Sequence, residues 1–273
     1  MKTVLLKLSG KALDNLFVND SWIKIIKDLK DFFDALVIVH GAGVKISEWC
    51  QAMGYESKFF NGQRVTDEGT MEIVAAVQAG LLNGKLVSRL QTNQINAIGL
   101  TGIDNGLFTA EYFNENLGYV GVPVLNGNKD WLNSIMESGI VPVFSSICRD
   151  KEGNLMNINA DIFAKKLAIA IEADTVLFLS DIDGVMLNGS LQTVINEADI
   201  NEGMLKEQIT DGMIPKVQSC IDLIRNGIHK VWIGNDLSNQ NFSHLWQAEF
   251  TKVLFSENNM KGTWIVESKA VAV

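Results

Sequence analysis

Six apolar runs divide the chain, and the intervals between them are long enough to hold helices. The runs are nearly continuous and lack strict alternation, which is typical of strands in a parallel sheet that is covered on both faces. Strands that alternate with helices predict an α/β fold with an open, mainly parallel sheet. The predicted strands are residues 3–9, 35–41, 95–100, 140–146, 175–180 and 229–234.

Helical periodicity occupies several of the intervals. The clearest helix follows Thr66, which we take as its N-cap, with Asp67 and Glu68 in the first turn. A second helix is predicted directly after the segment MNINAD at residues 156–161, and a third over about residues 215–226. MNINAD places three polar side chains at the start of an apolar helix, so it needs either a capping or a ligand-binding explanation.

Two stretches interrupt the strand–helix alternation. Residues 107–126 carry short alternating runs that favour a β-hairpin excursion, and residues 181–196 favour a loop with a short hairpin. We predict a lobe boundary near residue 173, which gives an N-terminal lobe over 1–173 and a C-terminal lobe over 174–273. MNINAD would then lie between the lobes, where ligands of open α/β sheets bind beside strand ends.

Composition and charge exclude several classes of protein function. The 273 residues are 47% hydrophobic and 20% charged, and the net charge is −9 with no run rich in Lys or Arg, so we expect no nucleic-acid partner. Three widely spaced cysteines without a CxxC pair favour a reducing compartment. No apolar stretch reaches the roughly 20 residues of a membrane span, and no signal sequence is visible. We expect a cytoplasmic protein, with no metal site built from its scattered histidines.

Several motifs suit the binding of anions, although each also has a purely structural explanation. Lys7 ends a buried strand and precedes Gly10, and Lys216 lies in the first turn of a predicted helix, where a cation is disfavoured by the dipole. Gly41 and Gly43 lie between a strand and a helix, and offer backbone amides to an anion. The alternatives are a strand-end lysine, a surface lysine and a tight turn without a ligand.

Two further motifs carry less weight. Arg64 precedes the helix that follows Thr66 and could clamp a carboxylate, although a loop arginine is often solvated. GLLNGKL at residues 80–86 has a Walker-like appearance. Its glycine spacing is one residue short, no Ser or Thr follows Lys85, and it lies inside a helical pattern, so we reject it as a phosphate loop.

Taken together, the motifs resemble the acetylglutamate kinases, a branch of the amino acid kinase superfamily. The resemblance covers about residues 3–233 and extends more weakly to GTWIV at 262–266. It is carried, in order, by KLSG (7–10), VIVHGAG (37–43), NGQRVTD (61–67), LGYVG (117–121), VPVFSSI (141–147), GNLMNINAD (153–161), LFLSDIDGV (177–185) and ITDGMIPKV (209–217).

The resemblance implies a three-layer αβα sandwich and a defined reaction. The N-terminal lobe would bind an N-acylated glutamate and form a homodimer, and the C-terminal lobe would bind ATP, with Mg²⁺ carried by the nucleotide. The γ-phosphoryl group would pass to the side-chain carboxylate of N-acetyl-L-glutamate, which gives an acyl phosphate for arginine biosynthesis. N-succinyl-L-glutamate, another superfamily activity such as an aminoadipate-pathway kinase, and a silent regulator remain alternatives.

The resemblance also implies roles for individual residues. Lys7 and Lys216 would approach the transferring phosphoryl group, and Asp161 would hold both lysines as an ionised hub. Arg64 would bind the α-carboxylate of the substrate, helped by Asn157. The substrate-binding set is Gly41, Ala42, Gly43, Arg64, Asn157 and Asn159, and the nucleotide-binding set is Lys7, Gly10, Ser180, Asp181, Gly184, Asp211, Met213 and Lys216.

Several features depart from the family pattern. The chain has Ala42 where a glycine is usual and Val44 where a proline is common. An alanine disfavours positive φ, so we expect the loop geometry to differ. Residues 100–106 also differ, which could reshape the acyl pocket. Because the first strand begins at residue 3, we expect no N-terminal helix that links dimers, and thus a homodimer without strong arginine inhibition.

Overall fold

The computed structural model describes residues 1–209, 213–235, 237 and 262–267. In chain order, its elements up to the second excursion are β1 (Thr3–Leu8), α1 (Gly10–Val18), α2 (Asp20–Phe32), β2 (Ala35–His40), α3 (Gly43–Ala52), β3 (Phe59–Phe60), β4 (Gln63–Arg64), α4 (Glu68–Val74), a π-helical segment (Ala75–Leu82), α5 (Asn83–Thr92), β5 (Ala97–Thr101), β6 (Phe108–Tyr112), β7 (Val120–Leu125), α6 (Asp130–Glu137), β8 (Val141–Ser145), β9 (Ile147–Arg149) and β10 (Leu155–Ile158).

The remaining elements follow the segment MNINAD. They are α7 (Ala160–Ala170), β11 (Thr175–Leu179), β12 (Met186–Leu187), β13 (Ser190–Leu191), β14 (Val194–Asn196), α8 (Glu197–Leu205), α9 (Ile214–Arg225), β15 (Lys230–Gly234) and β16 (Thr263–Val266). None of the helices described is long and apolar enough to cross a bilayer.

One twisted sheet of eight strands organises the fold. Its strand order is β14-β16-β15-β11-β1-β2-β8-β5. The strands from β15 to β5 pair in parallel, whereas β16 pairs with β15 in antiparallel fashion. All six strands predicted from apolar runs lie in this sheet, which confirms the mainly parallel α/β fold.

Strand alternation divides the core into two clusters, one on each face of the sheet. In β1, Val4, Leu6 and Leu8 pack against helices α1 to α5, whereas Leu5 joins the cluster that contains helices α6 to α9. Helices on both faces make the three-layer sandwich that the resemblance implies. The same alternation turns Lys7 toward the face of α7, since side chains two residues apart share a face.

The two predicted interruptions are both present. Strands β6 and β7 form an antiparallel hairpin and close with β9 and β10 into a small four-stranded barrel. Strands β12 and β13 form the short hairpin within 181–196. The barrel matters for the site because β10 leads directly into Asn159 and the start of α7.

The predicted N-cap at Thr66 is wrong by one residue. The cap of α4 is Asp67, whose side chain accepts a hydrogen bond from Thr70 N at 2.8 Å. Hydrogen bonds from the side chain and the backbone N of Thr70 hold the pKa of Asp67 below its ordinary value. Thr66 is instead fully buried and forms an isolated bridge with Gly118. Both residues are good caps in principle, so sequence alone could not choose between them.

Candidate active site

A short loop between β2 and α3 presents the N-terminus of α3. Ala42 is the N-cap residue and makes no side-chain capping bond. Free N–H groups at a helix start, together with the positive end of its dipole, form an anion site. Ala42 has φ −151°, so the loop requires no positive φ at this position. The backbone at Ala42 thus gives no reason for the loop geometry to differ from the family pattern.

Gly41 allows this loop to approach the start of α7. A Cβ built on Gly41 would lie 3.4 Å from the Cβ of Ala160, at the lower edge of ordinary van der Waals contact. A Cβ on Gly10, at the start of α1, would lie 3.8 Å from Val44 Cγ2. The N-termini of α1, α3 and α7 thus meet beside the ends of strands β1, β2 and β10, where open α/β sheets bind ligands.

Arg64 is buried, with 7% of its surface exposed, and is held by neutral partners. Its Nη1 donates to Ser57 Oγ at 2.9 Å, and its Nη2 donates to Gly43 O at 2.8 Å and to Ser47 Oγ at 2.7 Å. The guanidinium also lies 4.8 Å from the centroid of the Phe59 ring. These contacts use three of its five N–H donors and leave two for an anion.

No carboxylate among the described residues forms an ion pair with Arg64. Burial lowers the pKa of its guanidinium from the ordinary value, although an arginine stays protonated at neutral pH. A buried cation is costly unless an anion compensates it. The geometry therefore supports the predicted role of Arg64 in carboxylate binding.

Asn157, at the end of β10, is tied to the chain beside Arg64. Its Nδ2 lies 3.1 Å from Thr66 Oγ1, which in turn donates to Arg64 O at 3.0 Å. The buried Thr66 thus links the two residues predicted to hold a substrate carboxylate. Thr66 was predicted as a helix cap, and its part in this arrangement was missed.

Asn159 caps helix α7. Its Oδ1 accepts hydrogen bonds from the backbone N of Asp161 at 2.9 Å and of Ile162 at 3.3 Å. The capping explanation of MNINAD is therefore correct for Asn159, and the side-chain NH₂ group is left for other contacts. Asn159 also lines both cavities described below, so capping and ligand contact are compatible.

Asp161 lies in the first turn of α7 and pairs with Lys7. The Lys7 Nζ is 2.6 Å from Asp161 Oδ1. Lys7 is 8% exposed, and the carboxylate compensates its buried charge. The start of a helix also favours a carboxylate. The structure thus joins two of the three predicted catalytic residues.

Lys216 departs from the predicted hub. Its Nζ donates to Ser180 Oγ at 2.8 Å, and no carboxylate in the described ranges lies within ion-pair distance of it. Asp161 therefore holds only Lys7 in this structure, because Lys216 projects from the first turn of α9 toward the end of β11. Lys216 and Asp161 nevertheless line the same cavity.

Two neighbouring cavities contain these side chains. The small cavity, of about 180 Å³, is lined by the loop 41–43, by Arg64 and by residues 157–160. The large cavity, of about 380 Å³, is lined by Asp161, Ser180 and Lys216 among others. They share Gly62, Gln63 and Asn159 as walls. Such a pair suits two ligands that meet at one point.

The other residues predicted to bind nucleotide do not line the large cavity, and one of them lies outside the described residues. Gly10 begins α1, Met213 is the half-buried N-cap of α9, and Asp181 is exposed directly after Ser180. Gly184 has φ 139° and is packed against Thr263 and Leu191, a position that only glycine tolerates. Asp211 lies outside the described residues.

Cysteine chemistry does not contribute to this site. Burial raises the pKa of Cys148 to about 12. Burial and the nearby Asp161 carboxylate also raise the pKa of Cys220. Thiols of this kind are poor nucleophiles at neutral pH. Within the described ranges, no group of His, Cys, Asp and Glu is arranged to hold a metal ion.

Several residues that line the cavities were missed. Gln78 and Ser146 line the small cavity, and Lys165 and Asp222 line the large one, where their side chains pair at 2.9 Å. Gln78 had a detectable signal, because it is the one strongly polar residue in the apolar run IVAAVQAGLL. Lys165 and Asp222 follow ordinary helix patterns and gave no signal.

Comparisons with known proteins identify the family of the chain. The profile of the amino acid kinase family matches residues 2–235. An acetylglutamate kinase of Clostridium acetobutylicum is 39% identical over 241 residues, which cover 84% of this chain and 81% of the relative. An acetylglutamate kinase of Methanopyrus kandleri is 34% identical over 241 residues, which cover 84% of this chain and 94% of the relative.

Solved structures share the fold. The crystal structure of smu.665 from Streptococcus mutans is 30% identical, covers 86% of this chain and 95% of its own, and has a TM-score of 0.74. A carbamate kinase from Giardia lamblia bound to AMP-PNP is 15% identical, covers 98% of this chain and 99% of its own, and has a TM-score of 0.65; this likeness shows the fold alone. From the profile match and the curated relatives, the chain belongs to the amino acid kinase family and, within it, to the acetylglutamate kinases.

Proposed function

We propose that the protein transfers the γ-phosphoryl group of ATP to the side-chain carboxylate of N-acetyl-L-glutamate. The product is an acyl phosphate, which serves arginine biosynthesis in this family. The curated relatives carry the name of this activity. The observation that carries the proposal is Arg64, a buried cation without a carboxylate partner among the described residues, in a cavity that adjoins the lysine-containing large cavity.

The small cavity suits the acylated amino acid. Arg64 would bind the α-carboxylate with charge-assisted hydrogen bonds from the N–H donors that remain, which lie on Nε and Nη1. Asn157 would assist, and the amides of Gly41, Ala42 and Gly43 would face the carboxylate that reacts. That carboxylate is already ionised at neutral pH, so the reaction needs no general base.

The large cavity suits the nucleotide. Lys7 and Lys216 would neutralise charge on the phosphoryl group as it passes between the cavities, because phosphoryl transfer depends chiefly on positioning and charge stabilisation. Ser180, Gly10 and the loops that carry Asp181, Gly184, Asp211 and Met213 would hold the rest of ATP. Mg²⁺ would enter with the nucleotide. The C-terminal lobe would thus bind ATP and the N-terminal lobe the acceptor.

The charges of the small cavity favour an acetyl over a succinyl group. Among the described residues that line it, Arg64 alone carries a charge. The additional carboxylate of N-succinyl-L-glutamate would be buried there without a cation of its own, which is unfavourable. We therefore expect a higher kcat/KM for N-acetyl-L-glutamate than for the succinyl compound.

Hydroxylamine trapping tests the proposal directly. The protein is incubated with MgATP and hydroxylamine, and with N-acetyl-L-glutamate, N-succinyl-L-glutamate, N-acetyl-L-aspartate or free glutamate. Hydroxamate from the acetyl compound, with little from the other three, is the expected result. Absence of hydroxamate from every acceptor, in a folded protein that binds ATP, would contradict the proposed function.

Homodimerisation through the N-terminal lobe is also part of the proposal, on the basis of the family resemblance. Light scattering on the purified protein measures the mass in solution. We expect twice the mass of the 30.1 kDa chain. A monomer or a hexamer would contradict this part without affecting the assigned reaction.

A further inference from the structure

A glutamine is buried in an otherwise apolar stretch of helix, next to the small cavity. Gln78 is 2% exposed. Its Nε2 lies 2.7 Å from Ser146 Oγ and 3.3 Å from His40 O. Ser146 Oγ donates to Ile158 O at 2.8 Å, so it must accept from Gln78. The amide of Gln78 therefore donates both of its hydrogens to the ends of other elements.

The π-helical segment Ala75–Leu82 makes this contact possible together with a second one. Asn83, five residues after Gln78, is also buried, and its backbone N bonds to Gln78 O in the wide π pattern. In an α-helix, residues five apart point about 140° away from each other. Wider π turns reduce that angle, and such segments are frequent at functional sites. Both amides consequently reach the end of the same strand.

Asn83 and Gln78 hold His40, the last residue of β2, from two sides. Asn83 Nδ2 lies 3.1 Å from His40 Nε2 and 2.9 Å from Val143 O, while His40 Nδ1 lies 3.1 Å from Gly41 O. A carbonyl requires a donor, so His40 carries its proton on Nδ1 and accepts from Asn83. Burial lowers the pKa of His40 to about 4, in accord with a neutral ring.

The elements linked by these bonds carry the substrate-binding groups. His40 directly precedes the loop 41–43, and Ile158 directly precedes Asn159 and the start of α7, which bears Asp161. Gln78 thus bridges the anion loop and, through Ser146, the helix start that carries the lysine-bound carboxylate. Gln78 bonds directly to His40 O, and Ser146 Oγ carries the connection on to Ile158 O.

We propose that Gln78 is a positioning residue, which fixes the spacing between the loop 41–43 and the start of α7 through its two donated hydrogen bonds. This inference rests on the proposed function, since that spacing sets where the acceptor carboxylate lies relative to Lys7 and Asp161. Small misplacements of reacting groups are costly: about 1 Å can reduce a rate by about 10²-fold.

The experiment compares Gln78→Met with Gln91→Met. Methionine keeps the length of the side chain and removes its donors. Gln91 lies on α5 and is exposed, and its Nε2 donates to Ala97 O at 3.0 Å, so Gln91→Met makes the same substitution and loses one side-chain hydrogen bond away from both cavities. We expect kcat of Gln78→Met to fall by about 10- to 100-fold, with KM for ATP within about twofold of the control. A kcat for Gln78→Met equal to that of Gln91→Met would overturn the proposal.

Amide hydrogen exchange without substrate provides an independent measurement. Peptides over residues 40–47 and 157–163 should exchange faster in Gln78→Met than in Gln91→Met, because their shared anchor is lost. Unchanged exchange in both peptides would overturn the proposal. If the wild-type protein makes no hydroxamate but these peptides lose protection, the proposed function fails and the positioning role stands.

A second variant covers the case in which Gln78→Met does not fold. Ser146→Ala removes only the oxygen that links Gln78 to Ile158. It should increase exchange over residues 157–163 and lower kcat, and leave residues 40–47 protected by the remaining bond to His40. Wild-type exchange and wild-type kcat in Ser146→Ala would count against the bridge.

Discussion

The two cavities fix their cations in different ways. In the small cavity, Arg64 is held by neutral oxygens and has no carboxylate partner in the described ranges. At the large cavity, Asp161 already pairs with Lys7, whereas Lys216 has only a hydroxyl. A rigid guanidinium suits recognition of a fixed carboxylate, while ammonium groups on flexible stems suit a charge that moves during the reaction. This difference supports the proposal that the small cavity binds the acceptor and that the large cavity supports phosphoryl transfer.

The largest effect on kcat is expected from the two lysines that are proposed to support phosphoryl transfer. Lys7→Ala and Lys216→Ala should each lower kcat by on the order of 10²–10³, as when a preorganised charge stabiliser is removed. Steady-state kinetics of hydroxamate formation measure this effect. The KM for N-acetyl-L-glutamate should change far less, since the proposed acceptor site is the small cavity.

Lys165→Ala is the matched control for both lysine variants. Lys165 lines the large cavity but already pairs with Asp222 at 2.9 Å, and its side chain is partly exposed. We expect kcat within about fivefold of wild type, because partly exposed ion pairs contribute little. A near-normal kcat in Lys7→Ala or Lys216→Ala would refute the role given to that residue.

Substitution of Arg64 in the small cavity should chiefly raise the KM for N-acetyl-L-glutamate. Arg64→Lys keeps the charge but loses the planar fork and the bonds to Ser57, Ser47 and Gly43. We expect kcat/KM for N-acetyl-L-glutamate to fall by about 10²-fold, chiefly through KM, because binding of the ground state is lost. Arg89→Lys, whose partner Asp20 is highly exposed, should behave as wild type. A fall confined to kcat would place Arg64 in transfer instead.

A smaller effect should appear in the pH dependence of the free energy of unfolding. It arises from His40, which directly precedes the loop 41–43 of the small cavity. Burial lowers the pKa of His40 from 6.5 to about 4, so the unfolded chain binds a proton more readily than the folded one. The contribution of the neutral His40 ring to the free energy of unfolding is fully present above pH 6.5 and is lost as the pH falls toward 4. Between pH 7.5 and pH 5, the free energy of unfolding should decrease by on the order of 2 kcal/mol.

Urea unfolding at the two pH values measures this decrease. His40→Gln lacks the titrating ring and should lose much less stability over the same interval, although it is less stable at pH 7.5. Carboxylates whose pKa is lowered, such as Asp67 and Asp150, titrate below this interval. An equal loss in His40→Gln would show that another group causes the dependence.

The same contrast separates what the sequence could predict from what it could not. Apolar runs located all six parallel strands because burial on both faces leaves a direct pattern. Lys7 and Asp161 were predictable because a buried charge requires a partner. Choices between equivalent hydrogen bonds were not predictable. Thr66 or Asp67 could cap α4, and Lys216 could reach Asp161 or Ser180; tertiary packing decides both.

The bridge through Gln78 shows this limit most clearly. Its polar character in an apolar run was visible, but the π-helical segment that aligns Gln78 with Asn83 has no recognisable sequence signature. Its two hydrogen-bond partners, His40 and Ser146, are 38 and 68 residues away along the chain. Such partners are identified only when the sheet order β2-β8 is known.

The smallest effect is expected at the Walker-like segment. Lys85 is exposed on α5, and it lines a separate open cavity with Phe17, Ser88 and Arg89, not either of the two cavities compared above. Lys85→Ala should leave KM for ATP within about twofold, and the free energy of unfolding within about 0.5 kcal/mol. ATP titrations on the folded variant measure the first quantity. A loss of ATP affinity there would mean that a phosphate site exists on α5, and the division of labour between two adjoining cavities would no longer describe the molecule.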